Sequence, residues 1–584
     1  MTRAIRGAIV RRLGVRARGG AIALAALALL ASPQVSLAGP DGGDESPPQA
    51  ADQGPKQQED PRGRDLPPAD ASLRLDPRRE VTGGGIPKHF VGFSIEWSLI
   101  ERYMAPTARP GFAGLLTNLG TGVLRIGGGS QDLMPFDAAA SNTNHVITPD
   151  DLAAIRATLD AANADDTASD APSWGAILGT AMAPRTDARP WVGPDHARAF
   201  TTHGVVPAFS GGAARDVAGI ELGNEPDLSY RSDAGAYLKD FDSFSNARVT
   251  DPFTIVAPNT SETIAPWSSI DARTVPTRFF WNWPPILDAT APVMTASAAA
   301  FGAFATDHFY PMSRSCSTDP YRCSTIPRLL SDERMSNFDY EVYTHASEAA
   351  RHNLGYRVEE LNSASGRGVQ GVSNVAASAV WALDTMFNAA CPQPPNAPTA
   401  NADCGTGAIG VNFHNAEVER FFEGPSAWYN AIDYDPSPAT AAPTAAPEYY
   451  AVLLFARFAQ GTSGLRPVAV TADPTAGAQV KAWRVDADAS ERRLFLINKG
   501  DRPVTLTVSA PGSSFELDRM TPYDPTGADR TLDAPAVRID GREVSPNGNW
   551  AGFQPAAGGI TAGRFQITLG AAEAAVISLH GHEE

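Results

Sequence analysis

The stretch Ile220-Glu221-Leu222-Gly223-Asn224-Glu225-Pro226-Asp227 decides how this chain is read. An apolar, β-leaning run (Val217–Leu222) ends in a glycine, an amide and a carboxylate, and Pro226 then suits the first turn of a helix. Tyr356-Arg357-Val358-Glu359-Glu360-Leu361-Asn362-Ser363 has the same shape. A strand that delivers a polar side chain at its carboxyl end and passes into a helix is the repeating unit of an α/β barrel.

Working outward, short apolar strands alternate with longer stretches that can hold helices. The expected strands are His89–Glu96, Gly122–Gly127, Gly175–Ala181, Val217–Leu222, Phe253–Pro258, Ala305–Tyr310, Gly355–Glu360 and Ala408–Phe413. Eight strand–helix units predict an α/β fold, a (β/α)8 TIM barrel, over residues 83–458. One helix is expected over Ser373–Ala389, with Ser373 as N-cap and an apolar face of Val375, Ala376, Ala379, Val380, Leu383 and Phe387. From residue 459 helical spacing gives way to short β-type runs separated by Gly, Pro and Asp, which predicts a C-terminal antiparallel β-sandwich over 459–584. Residues 71–82, around Leu73–Leu75, are read as a strand joining that sandwich. The sandwich aromatics are spread along the sequence rather than clustered, so a structural partner for the barrel is expected rather than a glycan-binding module.

The N-terminus reads differently. Six arginines and no acids precede the apolar run Ala21–Ala31, and Val35-Ser36-Leu37-Ala38 resembles a cleavage site. Residues 1–38 are therefore read as a signal peptide, with Arg11-Arg12 leaving a twin-arginine route open, and the protein as secreted or periplasmic. The apolar core is too short for a membrane span. Residues 39–70, rich in Pro, Gln and Asp, are read as a disordered linker. Losing residues 1–38 takes the net charge from −18 to about −24. So acidic a protein repels nucleic acid, anionic membrane and polysulfated chains. In an exported protein, Cys316 with Cys323 and Cys391 with Cys404 read as two disulfides; neither pair has C-x-x-C spacing or a nearby histidine to suggest zinc.

Two carboxylates at the ends of different barrel strands, Glu225 and Glu360, are the minimum equipment for cleaving a glycosidic bond. Adjacent residues on a strand point to opposite sides, so Glu359 is expected at the surface or in a salt bridge and Glu360 in the barrel mouth. No cofactor and no metal is expected. A carbohydrate is the expected partner, with no obligate protein partner.

Several motifs carry a family resemblance: Glu221-Leu222-Gly223-Asn224-Glu225-Pro226, Val123-Leu124-Arg125-Ile126-Gly127-Gly128, Glu360-Leu361-Asn362-Ser363, and Gly371-Val372-Ser373 running into Ala379-Val380-Trp381-Ala382-Leu383-Asp384. Together they resemble glycoside hydrolase family 79, the β-glucuronidases and heparanases, over roughly residues 85–584. The resemblance implies a retaining exo-β-glycosidase in which Glu225 is the general acid/base and Glu360 the nucleophile. It further implies that Asn224 bonds the sugar 2-hydroxyl.

Tyr310, at the end of Asp307-His308-Phe309-Tyr310, is expected either to donate to Glu360 or to pack as a strand-end aromatic. Glu96 is expected to hold sugar hydroxyls. Arg125 either orients a carboxylate or forms a buried ion pair, and His414 is either a rim residue or a structural histidine. Where the heparanase branch has a Tyr-Gly-Gly string for the uronate carboxylate, this chain has Ser365-Gly366-Arg367-Gly368. Gly366 backbone and Arg367 would then meet the carboxylate. Without basic clusters for a sulfated polymer, small β-glucuronides are the expected substrates, and a neutral-sugar β-glycosidase is the alternative. A non-catalytic carbohydrate-binding barrel would have lost one carboxylate; both are present.

Overall fold

The computed structural model describes residues 66–75, 84–141, 145–167, 171–261, 281–294, 301–317, 319–393, 404–416, 427–434, 442–472, 479–487 and 491–581. The expected signal peptide and residues 39–65 of the expected linker lie outside them.

Eight parallel strands close into a barrel: β1 Gly92–Glu96, β2 Gly122–Gly127, β3 Trp174–Thr180, β4 Val217–Leu222, β5 Ile255–Thr260, β6 Phe304–Phe309, β7 Gly355–Leu361 and β8 Gly410–Asn415. They pair in chain order, and β8 closes the ring by pairing with both β7 and β1. Their residues are buried on both faces, with Gly355 alone half-buried, as expected of strands covered by helices outside and packed side chains inside. Val123, Ile177, Ala218, Val256 and Phe304, one from each of β2 to β6, form an apolar cluster. Near it lies the Arg357 guanidinium, which donates to the His89 carbonyl at 2.9 Å and to Asn412 Oδ1 at 2.5 Å. Gly410 makes that possible, because a Cβ there would sit 2.0 Å from Arg357 Nη1.

The C-terminal region is two packed antiparallel-rich sheets. One runs Val470–Ala472, Ala71–Arg74, Val504–Ser509, Arg564–Leu569. In it the N-terminal strand lies parallel to Val504–Ser509, with Ala71 opposite Leu506. The other runs Gly464–Val468, Val480–Asp486, Arg492–Asn498, Ala574–His580, Ser514–Tyr523, Ala536–Ile539, with Ala556–Gly559 added along Ser514–Tyr523. Leu73, Leu494, Leu506, Phe515, Ile567 and Ile577 belong to the core between the two sheets. The Ala556–Gly559 strand carries no apolar alternation and was not expected. Gly558 is what lets it pair there, because a Cβ would meet the Phe515 ring at 2.2 Å.

The expected helix over Ser373–Ala389 is Ala376–Ala390, capped at Val375 without a side-chain bond. Ser373 is not its N-cap: its hydroxyl accepts from the Val369 amide at 2.9 Å within the preceding turn. The helix also has no polar face, since residues 376–389 are all buried. It packs against helices Asp332–Arg351 and Pro447–Phe458 on the barrel side and strands Arg492–Asn498 and Ala536–Ile539 on the sandwich side. Phe387 stacks on Trp483 at 5.2 Å and meets Phe495 edge-on at 4.8 Å. The helix's one acid, Asp384, is 1% exposed and accepts from Lys499 at 3.0 Å. Lys481 lies 3.1 Å from the same oxygen.

The cysteines pair as expected, Cys316–Cys323 and Cys391–Cys404. Among the described residues no helix is long and apolar enough to cross a membrane.

Replacing Asp384 by Ala should be among the most destabilising changes outside the barrel. It takes from Lys499 and Lys481 the buried carboxylate they share and leaves them Asp332, at a cost of about 1.5–3 kcal/mol. Urea denaturation followed by tryptophan fluorescence would show the lowered midpoint, and Asp384→Asn should recover part of it.

Candidate active site

The chain leaves β4 through Gly223, at φ +77°, where a Cβ would lie 2.4 Å from the Met182 carbonyl oxygen. Glu225 follows, itself in the left-handed region at φ 45°, with its amide donating to the Asn259 carbonyl at 3.2 Å. Helix Pro226–Tyr230 starts at once. This tight turn holds the Glu225 side chain over the barrel mouth, and a non-glycine residue there costs about 1–2 kcal/mol.

On the opposite side, the β6–β7 pairing shifts register between Asp307 and His308, so that His308 pairs with Glu360 and Glu359 is the extra residue. The bulge overturns the simple alternation rule. Glu359 is not a surface residue; it is wholly buried within the barrel beside Glu221. Burial, and then the Glu221 charge, push its pKa well above the ordinary carboxylate range. Glu360 reaches the mouth.

Glu225 and Glu360 line one cavity of about 400 Å³, together with Glu96, Asn224, Leu228, Ser261, Tyr310, Arg322, Ser365, Gly366, Arg367, His414 and Tyr429. A carboxylate oxygen of Glu225 and one of Glu360 lie within 4.8 Å of each other. Glu360 is tightly held. Arg125 Nη1 donates to its Oε2 at 2.6 Å, and the Tyr310 hydroxyl donates to its Oε1 at 2.7 Å. His414 and His308 stand 3.7 and 3.9 Å from Oε2. Burial alone would raise this carboxyl's pKa, but His414, His308, Arg125 and Tyr310 together outweigh it and hold Glu360 far below the ordinary range. With its folded-state value depressed, the ionised carboxylate stabilises the fold above about pH 4.3, and that contribution is lost as pH falls through the folded value.

Glu225 is different. It is less enclosed, and His308 Nδ1 lies 3.0 Å from its Oε1. Burial lowers the His308 pKa, yet Glu360 and the Glu225 hydrogen bond outweigh it, so the value is raised. The imidazolium therefore stabilises the site below about pH 6.5, and the effect fades as pH rises through the raised value.

The other expected residues are placed as follows. Glu96 accepts from the Ser130 amide at 2.7 Å and the Gly129 amide at 3.1 Å, with one edge on the cavity. His414 lines the cavity between Glu96 and Glu360, with Nδ1 3.0 Å from Ser94 Oγ. Asn224 Oδ1 accepts from Arg125 Nη2 at 2.8 Å, which leaves the NH2 end for the cavity. Gly366 and Arg367 sit in three successive left-handed residues, with φ of 76°, 74° and 72° at Gly366, Arg367 and Gly368.

Arg125 fills both roles expected of it, orienting the Glu360 carboxylate and forming a buried ion pair with Glu221. It is wholly enclosed, with Nε and Nη2 on the Glu221 carboxylate at 2.8 and 2.7 Å, and it reaches the cavity only through Glu360 and Asn224. Sequence reasoning missed His308, although it shares a strand face with Tyr310 two residues on and so had a periodicity signal. It also missed Asn259, whose amide binds Glu221 Oε1 and the Gly223 carbonyl, each at 2.5 Å. That residue offered no signal, because its partners are remote in sequence.

Two clusters have the donor types of a metal site. Glu225, His308 and Glu360 bring ligand atoms within 4.8 Å of one another, and so do Asp307, Glu341 and His345. In the first, the Arg125 cation already occupies Glu360 at 2.6 Å and would repel a dication. In the second, both Asp307 oxygens are taken, by His345 Nδ1 and the Tyr356 hydroxyl, each at 2.6 Å. Neither donor set is built for a cation.

Replacing Tyr310 by Phe removes one charged hydrogen bond of about 1.5–3 kcal/mol and should move the Glu360 titration upward by about one to two pH units. Carbon-13 NMR of glutamate-labelled protein would measure it; an unmoved titration would mean Tyr310 does not govern this carboxylate.

No protein-family model matches the sequence, and neither does any curated protein sequence. Solved structures do resemble it. A 4-O-α-L-rhamnosyl-β-D-glucuronidase from Fusarium oxysporum 12S is 17% identical with a TM-score of 0.56, over 88% of this chain and 98% of that one. A family 51 α-L-arabinofuranosidase from Bifidobacterium longum is 14% identical with a TM-score of 0.54, over 88% and 100%. A monomeric β-xylosidase from Caulobacter crescentus CB15 is 12% identical with a TM-score of 0.51, over 88% and 99%. At these identities the likeness establishes the fold: a (β/α)8 barrel followed by an antiparallel sandwich.

Proposed function

We propose that this protein is a retaining β-glycosidase, with β-glucuronides as its preferred substrates. One observation carries the reading: two carboxylates on the carboxyl ends of different barrel strands approach within 4.8 Å across a single sugar-sized cavity. Carboxyls about 5–5.5 Å apart suit double displacement, whereas inversion needs room for a water between them.

Their environments divide the labour. Glu360, kept ionised by Arg125, Tyr310 and the two histidines, attacks the anomeric carbon and forms a glycosyl ester. The bond to the leaving oxygen breaks as Glu225 delivers its proton there, releasing an alcohol. Glu225, now a carboxylate, takes a proton from water; the hydroxide adds to the anomeric carbon, the ester to Glu360 breaks, and the sugar leaves with retained configuration. The Asn224 NH2 donates to the sugar 2-hydroxyl, its orientation set by Arg125. Glu96 accepts from the sugar hydroxyls.

The glucuronate preference rests on charge. Arg367 and Arg322 both line the cavity, and Arg367 holds a left-handed conformation that a glycine would occupy more easily. A strained cation beside the Gly366 backbone suits a carboxylate. One of the structural neighbours is itself named a glucuronidase. The two disulfides and the N-terminal arginine-rich, apolar pattern support export. The second reading, a neutral-sugar β-glycosidase, draws on Glu96, an ionised third carboxylate in the cavity that a uronate would have to avoid.

A panel of nitrophenyl β-glycosides tests both: turnover of the glucuronide, with the glucoside and galactoside at least about 100-fold slower, is the expected result. Glu360→Ala should lower kcat by more than about 10⁴-fold, and Glu225→Ala by about 10²–10⁴-fold. Azide should give a β-azide from the Glu225 variant and an α-azide from the Glu360 variant. The reverse pattern would exchange their roles.

A further inference from the structure

Leu228 is an anomaly in this cavity. Among the described residues only three large apolar side chains are strongly exposed, Leu66, Leu133 and Leu228, at 39%, 42% and 45%. Leu228 is the one that lines the cavity. It is fixed there, because its amide donates to the Glu225 carbonyl at 2.9 Å, three residues along the turn that presents the acid. Leu133 follows Asp132, whose Oδ2 accepts from the Asn224 amide at 3.4 Å, so its chain segment also borders the β4 end of the mouth.

The cavity is thus two-sided. Tyr310, His414 and Arg125 hold Glu360, and Tyr429 stacks on Tyr310 at 6.2 Å and meets His414 edge-on at 6.0 Å. Both aromatic residues of the lining therefore belong to the Glu360 side. Among the lining residues, Leu228 is tied to the Glu225 turn through its amide, and Ser261 lies two residues after Asn259, whose carbonyl accepts from the Glu225 amide. A departing group must place its oxygen within hydrogen-bond reach of the acid that protonates it, so it lies on the Glu225 side. Sugar rings bind through aromatic faces and dense hydrogen bonding; here the leaving group would meet a leucine.

Building on the glycosidase reading, we propose that Leu228 forms an apolar leaving-group subsite, and that the natural substrates are glycosides of hydrophobic alcohols or phenols rather than oligosaccharides. Leu228 then buries apolar surface of the leaving group that water would otherwise cover.

Methyl and octyl β-D-glucuronide have leaving groups of similar basicity and differ in apolar surface, so they test the subsite in the wild-type protein. The octyl compound should show a kcat/KM at least about tenfold higher. β-D-Glucuronosyl fluoride, which has no alcohol to bind, serves as reference. In Leu228→Asn the octyl-to-fluoride ratio of kcat/KM should fall about tenfold. Equal values for methyl and octyl, or a variant that lowers octyl and fluoride turnover in the same proportion, would overturn the subsite while leaving the glycosidase reading intact. Failure of the wild type to release fluoride from either β-D-glucuronosyl or β-D-glucosyl fluoride would overturn both.

Discussion

The site depends on burying one guanidinium at the centre of the barrel. Arg125 is enclosed, and an ion there costs several kcal/mol of lost hydration unless every donor is met. Its donors go to Glu221, Ser94, Asn224 and Glu360, which come from β4, β1, the β4 turn and β7. A single cation therefore ties together the strands that carry both candidate catalytic carboxylates. With His414 and His308 it keeps Glu360 charged despite its burial, while burial and the neighbouring Glu221 push Glu359 toward its neutral form. Asn259 completes the arrangement by holding both Glu221 and the Gly223 carbonyl, which couples the buried pair to the turn that aims Glu225.

Asymmetry between the two carboxylates follows. One is surrounded by donors and cations; the other has a histidine on one side and solvent and a leucine on the other. Under the proposed function, a nucleophile and a proton donor need opposite treatment, and strands with different neighbours suit that division. The enclosed floor and the open rim are parts of one electrostatic design.

Much of this was readable in the amino-acid order. All eight barrel strands were located to within a few residues, because each is an apolar run bounded by glycine or a polar turn. The carboxylate pair and its placement at strand ends were equally plain. What escaped had a common cause, namely partners distant in sequence. The register slip opposite Asp307 inverts the fate of Glu359, and no local pattern announces it. Ser373 has the chemistry of a helix cap but spends its hydroxyl on the preceding turn. The helix from Ala376 looked one-sided by its periodicity; it is covered on every side because a second layer, the sandwich, lies against it. Ala556–Gly559 has no alternation to detect, and Gly558 there accommodates an aromatic ring from the neighbouring strand.

The strand Ala71–Arg74 sits inside the smaller sheet of the sandwich, between Val470–Ala472 and Val504–Ser509. Asp70 accepts from the Thr505 amide, a partner 435 positions later. During synthesis Ala71–Arg74 must therefore wait, its edges open, until Val504–Ser509 has left the ribosome. Contacts that span so much of the chain are slow to form and leave a newly made molecule vulnerable to self-association. Once formed, they close a loop around the barrel: a strand from before it and strands from after it are stitched into one sheet, so neither flank can peel away without first undoing the other.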